Sequence, residues 1–128
     1  MELVHLVILV ALIEYVFFGL KSGQARGKAG LTAPAMTGDP VFERSVRVHQ
    51  NTLEQLIVFL PAIWIFAATV DALAAAILGV VFIVGRFLYW KGYVEDPAKR
   101  GTGFLVGFVA NAILVLGSIV GSLFALAA

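Results

Sequence analysis

Apolar and polar positions segregate along this chain into long blocks. Four apolar runs, at about 3–20, 43–70, 73–92 and 103–127, are separated by short polar stretches. Each run is long enough to cross about 30 Å of hydrocarbon as a helix. The second run begins with a charged third and continues apolar to its end. All nine Lys and Arg residues fall in two windows, Lys21 to Arg47 and Arg86 to Arg100. An even number of runs separates the windows, so both lie on one side of a bilayer. At the opposite end the charged groups are Glu2 and Asp71. Open sheets leave backbone groups unpaired in lipid, so the pattern predicts an all-α, integral membrane four-helix bundle forming one domain over 1–128. The positive-inside rule puts the polar loops in the cytoplasm and both termini on the other side.

Local signals refine the elements. Lys21 to Pro40 reads as a loop, punctuated by Gly23, Gly27, Gly30, Pro34, Gly38 and Pro40. Pro40 followed by Glu43 suits a helix start, and Asp71 marks a tight turn. A cleaved signal peptide is the rival reading of the first run. It fits poorly, because Glu14 interrupts the run and no positive charge precedes it. The short loops and the lack of an added retention signal lean toward a bacterial inner membrane.

Composition narrows the chemistry. Hydrophobic residues make up 61% and charged residues 13%, against about a quarter charged in soluble domains. A net charge of +1 without a basic stripe outside the windows points away from nucleic acid. The absence of cysteine excludes disulfides, thiolate metal sites and a cysteine nucleophile. His5 and His49 stand far apart with no metal-ligand spacing, so no metal is expected.

Two polar stripes occupy the same end of the bundle. Arg44, Arg47, Asn51 and Glu54 follow one another at helical spacing and project within roughly an 80° arc. Arg86, Tyr89 and Tyr93 repeat that spacing in the third run. Charges this close to hydrocarbon face a protein interior or a wet cavity. The plain alternative is a structural network, with Arg47 and Glu54 locking helices together and the tyrosines in the interfacial belt. The stripes carry more donors than Glu54 can satisfy, and the surplus positive charge suits an anionic ligand. Arg100, at the mouth of the fourth run, reads by itself as an interfacial anchor.

The stretch from Gly23 to Pro61 resembles the membrane-associated proteins in eicosanoid and glutathione metabolism (MAPEG). Phe42-Glu43-Arg44, Arg47, Asn51 and Glu54 carry that resemblance, with Arg86 to Tyr93 and Lys99 to Phe104. The nearest look is to the microsomal glutathione transferase and leukotriene C4 synthase branch. The resemblance implies a homotrimer of four-span subunits, with glutathione as co-substrate held between neighbours near the cytoplasmic face. It implies glutathione-binding roles for Arg26, Arg47, His49, Asn51, Glu54, Arg86, Tyr89 and Tyr93, and a thiol-activating, catalytic role for Arg100. Gln55 departs from the family, where several relatives have Tyr.

The charges suit this assignment. Glutathione carries two carboxylates and one ammonium, matching several Arg residues and one Glu. Arg grips a carboxylate with two parallel hydrogen bonds. A thiol titrates near about 8.5, and a fixed guanidinium favours its thiolate. The expected reaction joins that thiolate to a hydrophobic small molecule or lipid arriving through membrane lipid, with glutathione peroxidase activity as a second outcome. Two other readings stay open. A relative with the same fold could bind lipid without catalysis. The lone Glu14 in the first run also suits a small multidrug transporter coupling protons to export of a hydrophobic cation. In the preferred reading Glu14 is an inter-helix hydrogen-bonding group near Tyr15, and small residues Gly107, Ala110, Gly117, Gly121 and Ala125 serve close packing of the fourth span.

Overall fold

The computed structural model describes all residues from 1 to 128. Four long helices and one helical turn account for it: α1 (Glu2–Lys28), α2 (Pro40–Thr69), α3 (Ala72–Glu95), a 3-10 turn at Pro97–Lys99, and α4 (Arg100–Ala127). All four are long and apolar enough to cross a membrane. The all-α expectation therefore holds.

The starts of α2 and α3 are built by side chains. Asp39 accepts from the Phe42 N–H at 3.0 Å, with Pro40 opening α2, and Asp71 accepts from the Ala74 N–H at 2.7 Å. Each carboxylate satisfies an amide that a helix otherwise leaves unpaired. The tight turn at Asp71 is thus a helix cap. Asp96 does the same for the 3-10 turn through the Ala98 N–H.

One boundary differs clearly from the sequence reading. The segment after Leu20 continues α1 to Lys28, and the loop is confined to 29–39. Gly23 and Gly27 each cost the helix about 1 kcal/mol relative to Ala. Packing offsets this: Ser22 is buried, and the Arg26 guanidinium lies 5.1 Å from the Phe42 ring centre. Gly30, at φ 72°, takes the left-handed conformation that ends such a helix.

The interior is layered along the bundle axis. The main apolar cluster includes Val7 and Ala11 of α1, Leu56, Phe59 and Ile63 of α2, Phe82 of α3 and Leu114 of α4. Phe59 and Phe82 stack there at 4.1 Å. A smaller cluster of Phe18, Val48 and Tyr89 lies toward the charged end. Between the two sit Glu14, Thr52 and Arg86, all buried. A polar layer thus divides two apolar ones.

The outer surface stays apolar. Ile13, Ile57, Leu116 and Phe124 are among its exposed large side chains. Such a surface is stable only against lipid or another chain. Of the small residues in α4, Gly107, Ala110 and Gly121 are buried, and Gly117 meets Phe66 of α2. Ala125 is exposed, so it serves no close packing within one chain.

Candidate functional site

The stripe on α2 forms a connected set. Arg47 and Glu54 pair at 3.6 Å, with about half of each side chain exposed. Asn51 Nδ2 donates to Glu54 Oε1 at 3.2 Å. Both partners of the Arg47–Glu54 pair stand on one helix, so the pair cannot lock two helices together. Arg44 turns back along α2 and donates from Nε to the Pro40 carbonyl at 3.2 Å.

Arg86 joins the stripes of α2 and α3. Its Nη2 donates to Asn51 Oδ1 at 2.8 Å and to Thr52 Oγ1 at 2.9 Å, and the residue is 1% exposed. Thr52 in turn donates to the Val48 carbonyl. Arg86 therefore lies inside the bundle, and the surface of the polar end begins further along α3. Its guanidinium stacks over Tyr89 at 4.4 Å, and the rings of Tyr89 and Tyr93 stand 5.5 Å apart. Arg100 completes the series 5.6 Å above Tyr93. Its only side-chain hydrogen bond is a long one of 3.4 Å to the Pro97 carbonyl, so its exposed guanidinium is lightly held.

The run Arg47, Glu54, Asn51, Arg86, Tyr89, Tyr93 and Arg100 is thus continuous, each member touching the next. Arg26 and His49 stand apart from it. Arg26 donates from Nε to the Ala35 carbonyl at 3.2 Å in the loop after α1. His49 stacks on Tyr15 at 4.5 Å on the opposite face of α2. One chain does not bring these two to the other seven.

Glu14 also differs from expectation. No hydrogen bond reaches its buried Oε1, and the Tyr15 ring stacks on His49 without bonding to Glu14. Gln55 has a structural duty, since Asn111 of α4 donates to both its carbonyl and its Oε1 at 3.3 Å. Sequence spacing missed Thr52 as a partner of Arg86. It lies about 100° around α2 from Asn51 and outside the stripe. Only the reach of Arg86 brings it in.

Chemically, the set offers exposed cations at both ends of the run and one exposed carboxylate. It can pair with an anion that also carries a donor. No cluster of His, Asp and Glu able to hold a metal ion forms in this structure.

A four-span helical membrane protein with a cationic polar end is what the coordinates define. The MAPEG family pattern matches residues 4–120, and the chain belongs to that family. It is 41% identical over 100 residues to human microsomal glutathione S-transferase 2, covering 78% of this chain and 68% of that protein. It is 29% identical over 117 residues to mouse leukotriene C4 synthase, covering 91% and 78%. An uncharacterized protein of Synechocystis is 44% identical over 121 residues, covering 94% and 88%.

Proposed function

We propose that this protein is a membrane-bound, glutathione-dependent transferase. The observation that carries the reading is the continuous run from Arg47 to Arg100, whose exposed cations outnumber its one exposed carboxylate. The names of the two mammalian relatives point to the same ligand class. Arg47 would grip a carboxylate of glutathione, Glu54 its ammonium or an amide N–H, and Tyr89 and Tyr93 the body of the tripeptide. Arg86 would act from beneath, by holding Asn51.

Arg100 would face the sulfur. Its guanidinium stays charged at any working pH, so it stabilises the thiolate and takes no proton. The thiol proton passes to water. Lowering a thiol pKa by about two units takes roughly 2.7 kcal/mol, within reach of one charge-assisted contact in a partly dry site. The thiolate then forms a sulfur–carbon bond to a hydrophobic electrophile arriving from lipid, while the electron pair of the bond broken at that carbon leaves with its displaced group or ring-opened oxygen, which takes a proton from water. With a lipid hydroperoxide, the same thiolate would cleave the oxygen–oxygen bond. That step would take one oxygen onto the sulfur as glutathione sulfenic acid and release the lipid alcohol, and a second glutathione thiol would then convert the sulfenic acid to the disulfide with loss of water.

Arg26 and His49 complete the set only if a neighbouring copy supplies them, which favours a homotrimer with sites between subunits. The Lys and Arg asymmetry supports a cytoplasmic polar end, and a bacterial inner membrane is the setting we infer.

The test is the ultraviolet absorbance of the glutathione thiolate on titration into detergent-purified protein at neutral pH. Native protein should develop the thiolate band, and Arg100→Ala should bind glutathione without it. Binding with no band in either protein would leave a ligand-binding protein and remove the transferase.

A further inference from the structure

Glu14 is the one carboxylate on the inward face of α1, which otherwise presents Val4, Val7, Ala11, Phe18 and Ser22. It is 8% exposed, and its Oε1 is buried without a partner. Such a group in the middle of a membrane bundle is expensive unless something answers it.

Helix register identifies what answers it. α1 and α3 run in the same direction through the bundle, as helices separated by two crossings must. Gly79 sits so close to Val7 that a Cβ there would collide with it. Toward the polar end, Phe18 stacks on Trp90 at 6.0 Å. The same offset in numbering relates Val7 to Gly79, Phe18 to Trp90 and Glu14 to Arg86. Parallel helices keep such an offset from turn to turn, so Glu14 lies level with Arg86 on the facing side.

The unsatisfied atoms are complementary. Arg86 Nη2 is used by Asn51 and Thr52, whereas Arg86 Nε is buried with no partner. Nε is a donor and Glu14 Oε1 an acceptor. Nη2 is fixed by α2, and the adjacent Nε–H is free to be fixed by α1.

We propose that Glu14 is a positioning residue of the polar site: its carboxyl group holds the Nε–H of Arg86 through one water, the two side chains standing beyond direct ion-pair distance, and so sets Asn51 and Glu54 toward the ligand. Arg86 links to Asn51, and Asn51 to Glu54. A tilt of the guanidinium therefore moves an exposed member of the stripe. The pairing also separates Glu14 from a cation-export role, because a fixed guanidinium already answers its charge.

Two measurements test this, and only the second rests on the glutathione reading above. The first is a melting cycle without ligand on detergent-purified native protein, Glu14→Leu, Arg86→Met and the double variant. Each single change leaves one buried charge unanswered and should lower the melting temperature. The double change removes both charges and should melt no lower than the worse single variant. Strictly additive losses would overturn the pairing. If Glu14→Leu does not fold, Glu14→Gln takes its place in the cycle.

The second is glutathione titration by calorimetry. Glu14→Leu should bind about tenfold more weakly, the order of one lost side-chain immobilisation. Glu14→Gln, which keeps an acceptor, should fall between it and native protein. Unchanged affinity in Glu14→Leu overturns the positioning role whatever the melts show. If native protein binds no glutathione, the ligand reading fails and the melting cycle alone decides the pair.

Discussion

Arg47 and Arg100 use the same guanidinium in different settings, and their substitution should separate binding from activation. The Arg47–Glu54 pair is half exposed at 3.6 Å, so it contributes at most about 1 kcal/mol to folding. Arg47→Ala should melt close to the native temperature yet bind glutathione roughly 10- to 100-fold more weakly, as expected for a lost charge-assisted bond. Normal affinity would make the α2 stripe structural. Arg100→Ala should keep affinity but lose roughly 25-fold in conjugation rate at pH 7, the thiolate fraction given up when a thiol pKa returns by about two units to about 8.5. Equal rates in variant and native protein would remove the thiolate-stabilising role. The spacing of Arg47, Asn51 and Glu54 was legible in the sequence because helical periodicity alone fixes their common face. Burial of Arg86 was not, because depth inside a bundle depends on which neighbours approach. The same limit hid Thr52 and the Glu14–Arg86 layer.

At the scale of elements, the site depends on how closely α4 approaches α3. A Cβ at Gly103 would strike the backbone of Tyr89, and one at Gly85 would lie 2.6 Å from the Gly107 nitrogen. These contacts set the distance between the tyrosines of α3 and Arg100 at the start of α4. Gly103→Ala should cost about 1–3 kcal/mol by overpacking and push Arg100 away from Tyr93, lowering melting temperature and conjugation together. Gly101, two positions earlier on the same helix, has nothing within 4 Å. Gly101→Ala should melt at or above the native temperature, since Ala is the better helix former there. If both variants behave alike, close approach at Gly103 is not what holds α4. The four spans were legible because lipid demands long apolar runs. The extension of α1 to Lys28 was obscured by glycines whose cost is met by tertiary contacts, Arg26 on Phe42 among them.

For the whole molecule, the proposed glutathione-binding roles of Arg26 and His49, the two residues left out of the continuous run, would require more than one chain. His49 lies on the face of α2 turned to Tyr15, and Arg26 is held by the loop. No rotation of either side chain within one chain carries it around α2 to Glu54. A neighbouring copy related by a rotation can bring its own Arg26 and His49 to the run of the first, through a head-to-tail interface that closes as a ring. The apolar outer surface leaves room for such a contact without exposing charge to lipid. Composite sites make a prediction that single-chain sites do not. Arg47→Ala and Arg26→Ala homo-oligomers should each bind glutathione poorly. Co-expressed in equal amounts, they should regain activity, because an Arg47→Ala copy still supplies native Arg26 to an Arg26→Ala neighbour. Random mixing in a closed ring makes roughly a quarter of the interfaces native on both sides. Recovery near that fraction in the purified mixed oligomer, measured as conjugation per chain, supports sites shared between copies. Activity no higher than the average of the two parents would mean that each chain builds its site alone.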